Sequence, residues 1–115
     1  MYLELKGIEA CGLSNPETPD DPECCCVLMS AHIGVKGSKG SDRFDFTVVT
    51  PKFLVECTET RWARGDLLMT EFSWREVERM VGRLVSSISA TSWKEAADKL
   101  CNYLRWEFEN YQLNK

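Results

Sequence analysis

Three consecutive cysteines and the chain's single histidine are the residues whose types could do chemistry. Cys24, Cys25 and Cys26 precede His32 by less than ten positions. A thiolate beside an imidazole could act as a nucleophile, and both groups are good metal ligands. However, neighbouring strand residues point to opposite faces, and no Cys-x-x-Cys spacing occurs. The pattern favours free thiols packed as small apolar groups. A thiol-based metal or redox module is the alternative.

Sequence motifs of the common catalytic sites are missing. There is no Gly-rich phosphate loop, no Gly-x-Ser-x-Gly and no His-Glu-x-x-His. No two carboxylates are marked by their positions as an acid and base pair. We therefore expect a protein that is not an enzyme, with no catalytic residue, no cofactor and no bound metal.

The acidic excess lies in the first third of the chain. Residues 1–35 carry six acids and one base, whereas residues 36–115 carry 12 acids and 13 bases. Nucleic acids and anionic membranes need a basic face, so neither is an expected partner. The Pro-rich segment 11–23 is too stiff for a helix and too charged for burial. It is either a solvated loop or a docking surface for a basic protein. The candidate partner-binding carboxylates are Glu17, Asp20, Asp21 and Glu23.

The length and composition fit one domain, spanning residues 1–115. The chain is 43% apolar and 28% charged, and it is long enough to bury one core without disulfides or metal. The longest apolar run, residues 24–29, is too short to cross a bilayer. No signal-peptide core follows the N-terminus. We expect a cytoplasmic protein, and the sequence gives no indication of its oligomeric state.

Residues of alternating polarity predict a sheet in the first two thirds of the chain. Thr50 as an N-cap and Pro51 in the first helical position predict a short helix over residues 52–59. A Gly-rich turn over residues 37–41 predicts a hairpin. The four predicted strands are residues 2–10, 25–36, 43–49 and 67–72.

Two capping boxes predict two helices in the last third. Ser73 with Glu76, and Ser92 with Glu95, each precede an apolar stripe of helical spacing. The second stripe consists of Ala96, Ala97, Leu100, Leu104, Phe108 and Tyr111. This order of elements is typical of the α+β class. We expect about four antiparallel strands in one sheet, with the two C-terminal helices packed on one face.

Two residues depart from the pattern of the last predicted helix. Trp106 falls nearly opposite the apolar stripe, so it is either a partner-binding residue or a packing residue. Glu107 falls at the margin of the stripe, near a helix end where the dipole disfavours negative charge. We expect a structural ion pair that joins this helix to the sheet. The candidate cations are Arg43, Arg61 and Arg64.

Residues 43–115 resemble the immunity protein 8 family. The resemblance rests on Thr50-Pro51, on Phe72-Ser73-Trp74, on Trp93 and on Leu104-Arg105-Trp106-Glu107-Phe108. The Trp-Glu-Phe motif is the most specific part. Members of this family are predicted antidotes in bacterial polymorphic toxin systems, including contact-dependent growth inhibition.

The resemblance implies an immunity protein that binds the C-terminal domain of one toxin and blocks it in a tight complex. A nuclease is the expected target, because acidic surfaces can occupy a nucleic-acid-binding cleft. The shared positions Trp74, Glu107 and Phe108 would then hold the fold. The acidic segment matches no family pattern, so it would give specificity. A small intracellular adaptor is the other interpretation.

Overall fold

The computed structural model describes residues 1–109 as one mixed sheet and three helices. The predicted α+β class is confirmed. In chain order the elements are β1 (Leu3–Ala10), β2 (Cys26–Val35), β3 (Asp42–Val49), α1 (Pro51–Cys57), β4 (Asp66–Leu68), α2 (Trp74–Ser86), α3 (Trp93–Leu100) and β5 (Arg105–Trp106).

The first three strands form an antiparallel meander, as their alternating sequences predict. Gly37 lies in the predicted turn between β2 and β3, and its φ of 87° is the left-handed conformation that glycine adopts without strain. One face of β2 and β3 is fully buried. The inward side chains are Met29, Ala31, Ile33, Phe44, Phe46 and Val48.

The helices α2 and α3 cover this buried face. Val77, Val81 and Val85 of α2 belong to the same core cluster as Ala97 and Leu100 of α3 and the inward residues of the sheet. Their helical spacing gives each helix one apolar stripe. The predicted packing of both helices on one face is therefore confirmed.

Serine caps begin both helices where the sequence predicts them. The Ser73 hydroxyl accepts from the Glu76 backbone N–H at 3.2 Å, and Ser92 accepts from the Glu95 N–H at 3.1 Å. The reciprocal glutamate contacts differ from an ideal capping box. Glu76 binds Arg79 at 2.7 Å, and Glu95 accepts from the Thr91 N–H at 3.0 Å.

The short helix α1 begins at Pro51, with Thr50 as its N-cap. The fully buried Thr50 hydroxyl accepts from the Phe53 N–H at 3.4 Å and from the Cys25 N–H at 3.0 Å. The Thr-Pro pair therefore fixes both the start of α1 and its position beside β2. The predicted helix is confirmed, although it ends at Cys57.

The fourth strand is shorter than predicted and runs in the other direction. β4 spans only Asp66–Leu68, and it pairs parallel with β3 rather than antiparallel. A parallel neighbour needs a crossover connection, and α1 with the segment 58–65 supplies it. The expectation of a purely antiparallel sheet was therefore wrong.

The last predicted helix ends early. α3 stops at Leu100, and residues 105–106 form β5, which pairs antiparallel with Phe44 and Asp45 of β3. Leu104 is buried, but it lies in the turn between α3 and β5. Pairing with the sheet and aromatic packing outweigh the helical spacing of these residues. Tyr111 lies outside the described residues.

Candidate protein-binding surface

The acidic loop, defined as residues 11–23, is fixed to the rest of the fold. The Trp74 indole N–H donates to the Glu17 carbonyl at 2.6 Å, and the Phe72 N–H donates to the Pro22 carbonyl at 2.8 Å. Trp74 is buried and packs edge-on against Phe72, with ring centroids 5.6 Å apart. The start of α2 therefore holds both halves of the loop.

The four carboxylates of the loop are exposed, and three of them have local partners. Glu17 accepts from the Ser14 N–H at 2.9 Å, and Asp21 accepts from the Glu23 N–H at 3.1 Å. Glu23 lies 3.5 Å from the Lys52 ammonium group. These contacts organise the loop and leave its negative charges facing solvent. The structure thus brings all four predicted carboxylates into one short, ordered segment.

Trp106 lies in an aromatic cluster near the start of β3, whereas the acidic loop lies near the end of that strand. Its ring stacks on Phe44 with centroids 6.2 Å apart and planes 11° apart, and Trp93 packs edge-on against the same phenyl ring. One oxygen of Asp42 accepts from both indoles, at 2.9 Å from Trp93 and 3.0 Å from Trp106. These contacts support packing as the main role of Trp106. Trp106 and the acidic loop therefore lie at different ends of the sheet.

Glu107 follows β5 and is exposed, so the predicted position on a helix was wrong. Its carboxylate accepts from the Arg43 backbone N–H at 2.6 Å, and its own N–H donates to the Arg43 carbonyl at 3.0 Å. Arg43 is one of the three predicted partners, but the contact uses its main chain. Glu107 thus extends the pairing of β5 with β3. Phe108, partly exposed, packs edge-on against Trp106 at 5.8 Å.

The other two predicted cations bind elsewhere. Arg61 pairs with Asp66 at 2.8 Å. Arg64 donates to the Cys101 and Leu104 carbonyls at 2.9 and 3.0 Å. Arg64 thereby satisfies the Cys101 carbonyl at the C-terminus of α3 and the Leu104 carbonyl in the turn that follows.

The thiols and His32 do not form a common site. His32 lies 3.6 Å from Glu9 of β1, whereas the Cys24 thiol donates to Glu56 of α1 at 3.4 Å. Desolvation raises the pKa of the Cys24 and Cys25 thiols, which disfavours the reactive thiolate. All six cysteines are free, and no group of three metal-binding side chains occurs within residues 1–109.

A groove that the sequence did not reveal runs between α2 and β4. Its larger part has a volume of about 400 Å³, and a neighbouring part of about 240 Å³ shares Leu67 and Met80 with it. The exposed residues Met80, Leu68 and Tyr103 contribute apolar surface in or beside the groove. The Arg83 side chain lines the larger part. We call this feature the edge groove.

Exposed acidic loops and apolar grooves are both typical of protein-binding surfaces. The family model described as Immunity protein 8 matches residues 3–111, nearly the whole chain. The chain therefore belongs to the Immunity protein 8 family, and it is an immunity protein directed against a toxin. No curated protein and no solved structure matches it. Within residues 1–109, no helix has the length and apolarity needed to cross a bilayer.

Proposed function

We propose that this protein binds the C-terminal nuclease domain of a polymorphic toxin and neutralises it in a tight complex. The acidic loop is the contact that covers the nucleic-acid-binding cleft. The interaction takes place in the cytoplasm of the producing cell, in a contact-dependent growth inhibition system or a related one. Inhibition is by occlusion, so the immunity protein itself performs no chemical step.

The main support for this proposal is that hydrogen bonds fix the acidic loop to the start of α2. A nuclease cleft is lined with basic side chains that normally meet phosphates. Exposed carboxylates attract such a surface over several ångströms and raise the association rate. The hydrogen bond from Trp74 to Glu17 orders the loop before binding. Less conformational entropy is then lost in the complex.

The test is a fourfold amide variant: Glu17→Gln, Asp20→Asn, Asp21→Asn and Glu23→Gln. The amide oxygens retain the acceptors that Ser14 and Glu23 use within the loop, so the fold is kept. The probe is the product of the open reading frame immediately upstream of the gene. At low salt we expect association to slow by about tenfold or more, with a weaker salt dependence.

A control variant neutralises four exposed carboxylates outside the loop, and its change in net charge is the same. These residues are Glu4, Glu9, Glu59 and Asp98. We expect a much smaller change in association rate for the control. Equal rates for the loop variant and the wild type at low salt would show that the loop only aids solubility.

A further inference from the structure

The edge groove adjoins a strand whose outer side has no neighbouring strand. The sheet order is β1-β2-β3-β4, so β4 ends the sheet. The Gly65 carbonyl accepts from the Thr47 N–H at 2.8 Å, and the Met69 N–H donates to the Val49 carbonyl at 3.1 Å. Backbone groups of successive strand residues point to opposite sides. The N–H and C=O of Leu68 therefore point away from β3, toward the free edge.

Unpaired backbone groups at a sheet edge are a template for another strand. Natural proteins often cover or charge such an edge, whereas here the Leu68 side chain is 63% exposed. An added strand would lie beside the apolar wall that Met80 and Leu84 of α2 form in the groove. Peptides that bind by strand addition use backbone hydrogen bonds for affinity and side-chain pockets for specificity.

The positive charge of Arg83 at the edge groove indicates that the added segment carries a carboxylate. The Arg83 guanidinium is exposed and makes no hydrogen bond or ion pair within the described part of the chain. By contrast, Arg64, on the opposite wall, is held by the carbonyls at the end of α3 and by Glu109. Arg83 is therefore available for a carboxylate of a partner, which it can bind with two parallel hydrogen bonds.

We propose that an extended segment of the toxin adds a strand to the free edge of β4. The segment places an apolar side chain in the groove against Met80, and a carboxylate on Arg83. This inference rests on the proposed function and adds a second contact to it. The acidic loop attracts the basic part of the toxin, whereas the edge groove binds one specific segment.

Three variants of the full chain test this contact in binding measurements with the upstream gene product. Leu68→Pro removes the outward N–H, and we expect about tenfold weaker binding, whereas Leu68→Val retains both the N–H and the affinity.

Met80→Glu places a charge against apolar surface, and we expect about 100-fold weaker binding. Arg83→Gln should weaken binding by about tenfold or more. Its matched control is Arg75→Gln in the first turn of α2, outside the groove, which should bind like the wild type.

Hydrogen exchange of the wild-type complex gives a second measurement that needs no variant. The Leu68 amide should exchange much more slowly in the complex than in the free protein. An unprotected Leu68 amide in the complex, or unchanged affinity of the folded Met80→Glu and Arg83→Gln variants, would overturn the inference while leaving the proposed function intact. Wild-type protein that fails to bind would instead refute the proposed function. Dimerisation of the free protein that Leu68→Pro abolishes would assign the edge to a second copy, and this result would also overturn the inference.

Discussion

Replacing Asp42 by alanine should destabilise the protein far more than replacing it by asparagine. One carboxylate oxygen of Asp42 accepts from the Trp93 and Trp106 indoles, at 2.9 and 3.0 Å. Alanine leaves both partly buried N–H groups without a partner. Asparagine keeps a carbonyl oxygen that can take the same position and accept both bonds, although without the negative charge.

The expected size of the effect follows from these two contacts. A hydrogen bond to a charged group contributes about 1.5–3 kcal/mol, and the partial exposure of this site places each bond at the low end or below it. Asp42→Ala should therefore lower the free energy of unfolding by about 2–3 kcal/mol, and Asp42→Asn by about 1 kcal/mol. For a domain of this length, about 4 °C in Tm corresponds to 1 kcal/mol. Alanine should then lower Tm by about 8–12 °C.

Urea denaturation followed by circular dichroism measures both variants. Adding Trp106→Phe completes a double-mutant cycle, because phenylalanine keeps a ring against Phe44 but removes one of the two donors. We expect a coupling energy between Asp42 and Trp106 of about 1 kcal/mol. The reasoning would be refuted if Asp42→Ala stayed within 1 kcal/mol of the wild type, or if asparagine were as damaging as alanine.

Three further predictions concern stability. Hydrogen bonds from the Thr91 backbone N–H, and next from its hydroxyl, lower the pKa of Glu95 from 4.5 to about 2. The ionised Glu95 side chain therefore stabilises the fold fully above pH 4.5, and this stabilisation is lost as the pH falls toward 2. Melting curves between pH 5 and 2 should therefore decline less for Glu95→Gln than for the wild type, and parallel curves would contradict this. Gly65→Ala should cost about 1–3 kcal/mol, because φ is 88° and a Cβ would meet the Arg105 side chain. Gly82→Ala, in open space on α2, should instead stabilise by about 0.5–1 kcal/mol, and chemical denaturation of the two variants distinguishes these signs.

Local patterns predicted the elements that depend on neighbouring residues. Alternation along β2 and β3, the capping serines Ser73 and Ser92, and the Thr50 cap all act within a few positions of the chain. The sequence signal is strong in such cases because the physical interaction is itself local.

The incorrect predictions involve contacts between distant residues. Residues 100–108 have helical spacing, yet Trp106 pairs with Phe44 and donates to Asp42, 64 positions away. No pattern within a short window contains this partner. The parallel direction of β4 also depends on the crossover through α1, and the edge groove exists only because β4 ends the sheet.

The candidate loop was recognisable from composition, but its anchoring was not. The charge and proline content of residues 11–23 predict an exposed acidic segment. The bond that orders it joins Glu17 to Trp74, 57 positions away, and nothing in the loop itself indicates that partner. The Arg83 guanidinium makes no hydrogen bond or ion pair within residues 1–109, and this depends on the fold rather than on any local pattern around Arg83.

Co-expression with the upstream open reading frame tests toxin neutralisation most directly. We expect that product to stop growth when expressed alone, and the wild-type protein to restore growth and co-purify with it. The fourfold loop variant should protect less than the control in which Glu4, Glu9, Glu59 and Asp98 are neutralised. A toxic neighbour that the wild-type protein neither binds nor neutralises would contradict the proposal.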